Sequence, residues 1–550
     1  MQINESSMTR RYASLCSLIS IVFVLYLLLS FVFTSTQYPT HSDSGRSYGI
    51  VIDAGSTGSR LFLYSFSGGS ETELINVLPV KDENGEDVVK KVTPGLSSFE
   101  NQPDAAPEHI KPLLNYASKY IPVEQQPYTP VFIFATAGMR LLTKEKQDTI
   151  TNALRTKLPE FTNLQIMSEH IQVIDGKWEG IYSWIAVNYV LGKFKASAKS
   201  TNTQAVRETS AGMIDMGGAS VQIAFELPQN TAFNKDALNA VNLGCIDNDN
   251  RFSYNLFVTT FLGFGVNEGL KKYEQTLVPK VTVPPNSSSL SVPYVKDNCL
   301  PDKFMKVTSA ENGTEFLRLG TGNWDSCVSE IVGILKKAGE CTSALKCFFD
   351  GVEAPPVDLS SIELYGFSEY WYSMHDVLAL GGIYHHDIFE KGARKFCTTA
   401  WEKIKADKGY PNADVGRLEG QCFKSAWIHA ILHDGFHVNE LKHKFQTALR
   451  IRDQEVQWAL GALLYQMRYF PLRDIQKNYI HARHSGSSIL YSLLLVVFLI
   501  AIFGVVIFVV KIYWNPKTRF SLKKDPGVFG YRMLNQNPNG SSSSFSRLPV

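Results

Sequence analysis

Two long apolar runs stand near the ends of the chain, and between them short apolar segments alternate with turns of small or polar residues. Residues 13–37 carry no charge and residues 15–33 are nearly all apolar, enough for the roughly 20 residues that span a bilayer. Arg10 and Arg11 precede this run, so the positive-inside rule leaves the N-terminus in the cytosol. A cleaved signal peptide fits less well, because its apolar core usually runs only about 7–15 residues and no small-residue cleavage site follows here. The second run, 489–510, is followed by Lys511, Lys517, Arg519, Lys523 and Lys524, which place the C-terminus on the same side. The expected order is a cytosolic N-terminus 1–12, a transmembrane helix 13–35, a stem 36–47, a lumenal region, a transmembrane helix 488–510 and a cytosolic tail 511–550.

Within the lumenal region the periodicity predicts alternating strands and helices. Residues 48–52 form a compact apolar strand, followed by the turn DAGSTGSR (53–60) and a second strand at 61–66. Asn84-Gly85 signals a hairpin tip. Ile110, Leu113, Leu114 and Ala117 fall on one helical face, and residues 131–135 read as a buried strand. Thr143 is placed to cap a helix carrying Ile150, Leu154 and Leu158. A strand at 171–174 leads into a helix containing Trp178, Glu179, Gly180 and Trp184. Residues 274–298, rich in Pro, Ser and Val, read as a surface loop, and the last lumenal part reads as helical, with residues 458–461 near its centre.

One motif occurs twice. VIDAGS (51–56) is echoed by MIDMGGAS (213–220), each an apolar strand ending in Asp, then a small-residue turn, then a second apolar strand. A repeat at so long a period is no solenoid signal and points to two like-folded lobes facing each other.

Composition and charge narrow the class. The 54 Lys and Arg against 52 Asp and Glu, without basic blocks, argue against a nucleic-acid binder, and 44% hydrophobic residues argue against disorder. Seven of the eight cysteines lie in the lumenal region, where disulfides are expected. The close spacings favour Cys341 with Cys347 and Cys397 with Cys422, and an odd count leaves one cysteine over. The sequons at Asn286 and Asn312 lie in the same region, whereas Asn4 and Asn539 head sequons in the cytosolic ends. The adjacent His385 and His386 do not form a metal site by themselves, since neighbouring side chains point to different sides and no third ligand is placed; they read as a surface turn.

A Gly, Ser and Thr turn after a strand exposes consecutive backbone N–H groups, which with the hydroxyls make a nest for phosphate oxygens. Two such turns from opposed lobes can grip one polyphosphate from both sides. Asp53 and Asp215, at the strand ends, would sit beside it, and carboxylates with retained waters suit Mg²⁺ or Ca²⁺. Transfer of a phosphoryl group to water also needs a group to orient or deprotonate that water, and Glu179 at a helix start is the candidate.

DAGSTGSR (53–60), ATAGMR (135–140), WEGIY (178–182), DMGGASVQ (215–222) and YGFSEYWY (365–372), in this order between two apolar spans, resemble the apyrases, the nucleoside triphosphate diphosphohydrolases. CFKSAW (422–427) and FPLRDIQ (470–476) are most similar to the intracellular branch of Golgi and lysosome-related membranes. The resemblance implies an α/β fold of two RNase H-like lobes, the actin, sugar-kinase and heat-shock ATPase superfold, with the nucleotide between them. Lobe I would be 48–175, lobe II 176–449, and 450–487 a helical return to lobe I. It implies Glu179 as the catalytic base and Asp53 and Asp215 as holders of Ca²⁺ or Mg²⁺. Ser56, Thr57, Gly58, Ala137, Gly217, Gly218, Ala219 and Ser220 would line the phosphate nests. Thr136 and Gln222 would help fix the ion or the water, and Arg60 would support the first turn. An aromatic, Tyr370 or Tyr372, would stack on the base. Direct attack by water, with no phosphoenzyme, is implied.

Two departures stand out: His433-Asp434-Gly435 replaces a basic residue that many relatives carry, and Gly263 stands where surface members often have Cys, leaving Cys245 as the expected orphan. The expected substrates are UDP, GDP and other nucleoside di- or triphosphates, in a Golgi lumen first and a lysosomal, endosomal or plasma-membrane setting next. The alternatives are an ecto-apyrase acting on extracellular ATP and ADP, or a non-catalytic nucleotide receptor on the same fold. The tail motif beginning at Tyr531 fits a tyrosine-based sorting signal read by adaptors, and self-association as a homo-oligomer is compatible with all of this.

Overall fold

The computed structural model describes residues 46–470 apart from 70–72, 195–207, 229–230, 232, 234–237, 247–250, 284–291, 311–312, 343–345, 358, 360–361 and 440–443, and a few helical residues between 496 and 511. The first predicted span, the asparagines of the four sequons and Tyr531 lie outside the described residues, as does most of the second span. Among the described residues no helix is long and apolar enough to cross a membrane.

The echoed motif builds two sheets on one plan. β1 (Ser47–Ala54) and β2 (Ser59–Ser67) form an antiparallel hairpin in which Asp53 pairs with Arg60. β3 (Asn76–Pro79) and β4 (Val89–Val92) both add to β2, while β5 (Val131–Ala135) lies parallel to β1 on its other side and β6 (Ile171–Val173) extends the sheet. In the second sheet β7 (Gly212–Met216) and β8 (Ser220–Glu226) make the corresponding hairpin, with Asp215 opposite Gln222. β9 (Leu238–Asn242) and β10 (Ser253–Leu262) continue beyond β8. The central strands β1, β5 and β7 are buried along almost their whole length, as strands covered on both faces must be.

Helices complete the layers. α1 (Ala106–Ala117) buries Ile110, Leu113 and Leu114, and α2 (Lys144–Lys157) starts where Thr143 Oγ1 accepts from Lys146 N. α3 (Gly176–Val190), capped by Asp175, crosses β10 so closely that a β-carbon on Gly176 would lie 2.5 Å from Thr260 Oγ1. α4 (Val266–Leu277), a three-stranded sheet of β11 (Tyr294–Asp297), β12 (Met305–Ser309) and β13 (Glu315–Gly320), and α5 (Trp324–Ala338) follow. β14 (Glu363–Ser368) then runs parallel to β7, α6 (His386–Thr398) and α7 (Val415–Ala430) cover that side, and β15 (Lys444–Thr447) edges the second sheet. α8 (Trp458–Gln466) packs on α3, where a β-carbon on Gly461 would reach 1.9 Å from the Tyr182 carbonyl.

The predicted surface loop at 274–298 is partly corrected. α4 runs through Leu277, because Tyr273 and Leu277 are buried in the core, and β11 occupies the far end. Asp297 explains that strand's burial: its carboxylate accepts from Arg318 Nε at 2.6 Å, Tyr273 Oη at 2.7 Å and Cys299 N at 2.8 Å, with Glu274 closing the pair on Arg318. The final part, 450–487, is corrected at its start, where a small hairpin of 450–451 with 454–455 precedes α8; residues 471–487 lie outside the described ones. Disulfides join Cys341 to Cys347, Cys397 to Cys422 and Cys299 to Cys327; the spacing did not single out the third. Cys245 is buried and lies outside these three.

Removing one partner of a buried ion pair leaves the other charge uncompensated. Arg318→Met is therefore expected to cost about 3–5 kcal/mol, read as a fall in the midpoint of urea unfolding. A loss below about 1 kcal/mol would show that Asp297 regains water or a proton without penalty.

Candidate active site

The two small-residue turns face each other across a cleft of about 420 Å³. In the first, Gly55 N donates to Gly58 O at 2.9 Å; in the second, Gly217 N donates to Ser220 O at 3.0 Å. The same three-residue closure follows each aspartate, as the sequence echo demands. A β-carbon on Gly218 would come 2.7 Å from Ser56 Oγ, so the second turn approaches the first to within side-chain contact. Each turn is braced by a further glycine: a β-carbon on Gly138 would lie 2.6 Å from Ser56 Cα, and one on Gly265 would lie 2.4 Å from both Ala219 N and Ser220 N.

Asp53, Ser56, Thr57, Gly58, Arg60, Thr136, Ala137, Glu179, Asp215, Gly217, Gly218, Ala219, Ser220 and Tyr372 all line the cleft. Gln222 and Tyr370 do not. Gln222 lies just beneath, its amide donating to Ser220 Oγ at 2.6 Å, Thr260 Oγ1 at 3.2 Å and Glu179 Oε2 at 3.3 Å. The Tyr370 expectation is corrected: its ring is fully buried edge-on against Phe445, out of reach of a ligand. Tyr372 is the one that lines the cleft, half-buried, with the Arg417 guanidinium 4.5 Å from its ring centre.

Glu179 sits in the first turn of α3, where the helix N-terminus favours a negative charge. Arg140 Nη2 donates to its Oε2 at 2.9 Å and to Ser220 Oγ at 3.3 Å, while Nη1 is tied to the Ile174 carbonyl at 3.1 Å. Burial pushes the Glu179 carboxyl up from its ordinary range, and Arg140 pulls it back. Burial also raises Asp53 to about 7, with Glu179 adding repulsion and Arg60 opposing it. Asp215 is raised to about 6 by burial and then by Glu179, against a hydrogen bond from Ser368. Asp215 Oδ1 is buried without a hydrogen-bond partner. Buried carboxylates that repel one another, one with an orphaned oxygen, fit a divalent cation held partly through water.

Several cleft residues escaped the sequence reading. Lys91, Arg417 and Lys424 bring cationic side chains to the cleft lining. Burial, with Arg60 and Arg417 nearby, holds the Lys91 ammonium below its ordinary pKa. Lys424 pairs with Glu369 at 3.0 Å and Arg417 with Asp376 at 2.5 Å. Ser368 has φ 59°, a strained value for a non-glycine residue, at the end of β14 beside Asp215. Arg140, Ser368, Glu369 and Lys424 all lie within the quoted motifs, so a signal existed; Lys91 and Arg417 had none.

Two matched phosphate turns on duplicated sheets, buried carboxylates suited to a divalent ion and a guanidinium-held glutamate together define a phosphohydrolase of mixed α/β fold. The chain belongs to the GDA1/CD39 (nucleoside phosphatase) family, whose model matches residues 40–482. It is 47% identical over 517 residues to the nucleoside-diphosphatase mig-23 of Caenorhabditis elegans, covering 91% of this chain and 92% of that protein. It is 36% identical to ectonucleoside triphosphate diphosphohydrolase 4 of Homo sapiens, covering 81% of this chain and 77% of that one. A nucleoside triphosphate hydrolase structure from Neospora caninum shares the fold, with a TM-score of 0.54 and 16% identity over 78% of this chain and 93% of that one. The protein is thus an apyrase-type enzyme that hydrolyses nucleoside di- or triphosphates.

Proposed function

We propose that this enzyme hydrolyses nucleoside diphosphates, UDP and GDP foremost, and related triphosphates to monophosphates in the lumen of the secretory pathway. There it would clear the nucleotide products of glycosylation. The observation that carries the hydrolytic mechanism is Glu179, held by Arg140 and Gln222 through Oε2 at the wall of a cleft shared by both phosphate turns. The similarity to mig-23, named a nucleoside-diphosphatase, supports the diphosphate preference. The lumenal placement rests on the apolar runs at 13–35 and 488–510 with basic residues on their outer flanks, and on seven cysteines between them. We assign 48–175 and 176–449 to two RNase H-like lobes, with 450–487 returning to the first; the duplicated hairpin and its parallel neighbour support this.

In this mechanism Ser56, Thr57 and Gly58 hold the polyphosphate from one side, and Gly217, Gly218, Ala219 and Ser220 from the other. Asp53 and Asp215 would hold Ca²⁺ or Mg²⁺, which when bound offsets the charge of the phosphates. Arg140 occupies Oε2 of Glu179, so the other carboxylate oxygen is left to take the proton of the attacking water. The water oxygen bonds to the terminal phosphorus, the bond to the bridging oxygen breaks, and the nucleotide leaves with that oxygen. Thr136 positions the water, Gln222 acts only from beneath the cleft by holding Glu179 and Ser220, and Arg60 steadies the first turn. Lys91 and Lys424 favour the approach of an anionic substrate.

The test is phosphate release by the full chain in detergent, with UDP, GDP, ADP, CDP and the matching triphosphates, in Ca²⁺, Mg²⁺ or chelator. Ion-dependent release with UDP and GDP preferred is expected; equal or greater rates with ATP and ADP would overturn the glycosylation role and favour an ecto-apyrase. Tyr372 is the aromatic we assign to base stacking. Its replacement by Ala should raise KM by about tenfold, since stacking contributes about 1–3 kcal/mol per base, with kcat little changed. An unchanged KM would place the base elsewhere.

A further inference from the structure

In sequence, His385 and His386 lack a third ligand and read as a surface turn. Folding supplies it from a distant helix. His386 is the first residue of α6, while His429 lies in the last turn of α7 and His433 in the π-helical segment Ile431–Gly435 that continues it. Four residues apart, His429 and His433 share a helix face. The three rings close on one another, with centroid separations of 5.2, 4.5 and 4.9 Å, and one nitrogen from each lies within 4.8 Å of the other two.

We infer that His386, His429 and His433 form a binding site for a divalent transition-metal ion of the zinc type, separate from the catalytic cleft. Imidazole is a ligand that zinc favours and that Ca²⁺ and Mg²⁺ do not, so the site is chemically unlike the carboxylates of the cleft. A tetrahedral ion about 2.1 Å from each nitrogen sets the nitrogens about 3.4 Å apart and the ring centres about 5 Å apart. The observed ring spacings of 5.2, 4.5 and 4.9 Å are close to the second condition, and the nitrogens, within 4.8 Å of one another, must draw closer to meet the first.

Three further features point to a ligand. His429 Nδ1 is buried with no hydrogen-bond partner. His433 Nδ1 lies 2.9 Å from the Val438 carbonyl, the kind of outer contact that fixes a ligating imidazole's tautomer. Glu390, one turn along α6 from His386, interacts electrostatically with both His386 and His429 and is steadied by Arg394 at 2.8 Å. The Tyr384 hydroxyl, 2.8 Å from His433 Nε2, is the group that must turn aside when this nitrogen binds an ion. None of the three histidines lines the catalytic cleft, so an ion here would tie the start of α6 to the end of α7 rather than take part in hydrolysis.

The full chain in detergent, in millimolar Mg²⁺ to occupy the catalytic cleft, is loaded with Zn²⁺, desalted and analysed for metal content. Co²⁺ serves in parallel as the spectroscopic probe. One retained zinc per chain is expected, with a visible Co²⁺ band typical of tetrahedral nitrogen coordination. His386→Gln, at a half-exposed helix start where refolding is not at risk, and His429→Gln should each abolish the band and weaken zinc binding by about a hundredfold or more. Mg²⁺-dependent hydrolysis by His386→Gln should stay at the wild-type rate. Absence of retained zinc in the wild type, or equal retention in both variants, would overturn the site.

Discussion

Glu179→Gln lowers turnover by about 10²–10⁴-fold, the usual contribution of a positioned general base, while nucleotide affinity stays near that of the wild type. The amide keeps the size of the side chain and can still accept from Arg140 Nη2, so the packing at the start of α3 is preserved and only the proton acceptor is lost. Steady-state phosphate release together with a direct nucleotide-binding titration separates the two effects. Near-normal turnover would remove Glu179 from the chemical step. Equal loss of binding would mean that its charge matters mainly for assembling the cleft with Asp53 and Asp215.

Gly265→Ala is the second large effect, and it acts without touching substrate. Gly265 caps α4, whose first amides, Val266 N and Asn267 N, donate to the carbonyls of Gly217 and Gly218 at 3.0 and 2.8 Å. A methyl group at 265 would lie 2.4 Å from Ala219 N and Ser220 N, backbone atoms that cannot rotate away. The second phosphate turn must therefore shift or α4 must unseat. A displacement of about 1 Å at a reacting centre costs about a hundredfold in rate, and that is the expected fall in kcat, with circular dichroism unchanged. Wild-type kcat in a folded variant would show that the turn carries no positional constraint.

Motifs in the sequence made most of the cleft legible. Both aspartates, both turns, Thr136, Glu179 and Tyr372 were named from it and line one cavity, because strand-end Asp and Gly-rich turns are local features whose geometry depends on a few neighbouring residues. Tyr370 shows the limit of such reading. Five aromatic residues within 365–372 look alike in sequence, yet β14 and the turn after it send Tyr370 into the core and leave Tyr372 in the cleft. Lys91, on β4, and Arg417, on α7, were invisible because each is an ordinary charged residue until two distant elements converge.

The same contrast runs through the rest of the molecule. The loop expected at 274–298 was read from its Pro and Ser content, but a single buried Asp297, satisfied by Arg318 and Tyr273, holds a strand there. Close-spaced cysteine pairs were foreseen, while Cys299 with Cys327 required knowing that α5 returns to β11.

The sequence by itself determined the duplicated strand-turn-strand units and the residue types at their tips, since backbone turns, helix caps and apolar periodicity are encoded within a few positions. Only the tertiary structure decided how closely the two turns approach, that Arg140 grips Glu179 across 39 residues of chain, and that His386 joins His429 and His433. Those contacts are set by how α3 and α7 pack on the sheets. Packing is a property of the whole core, which no local stretch of sequence specifies.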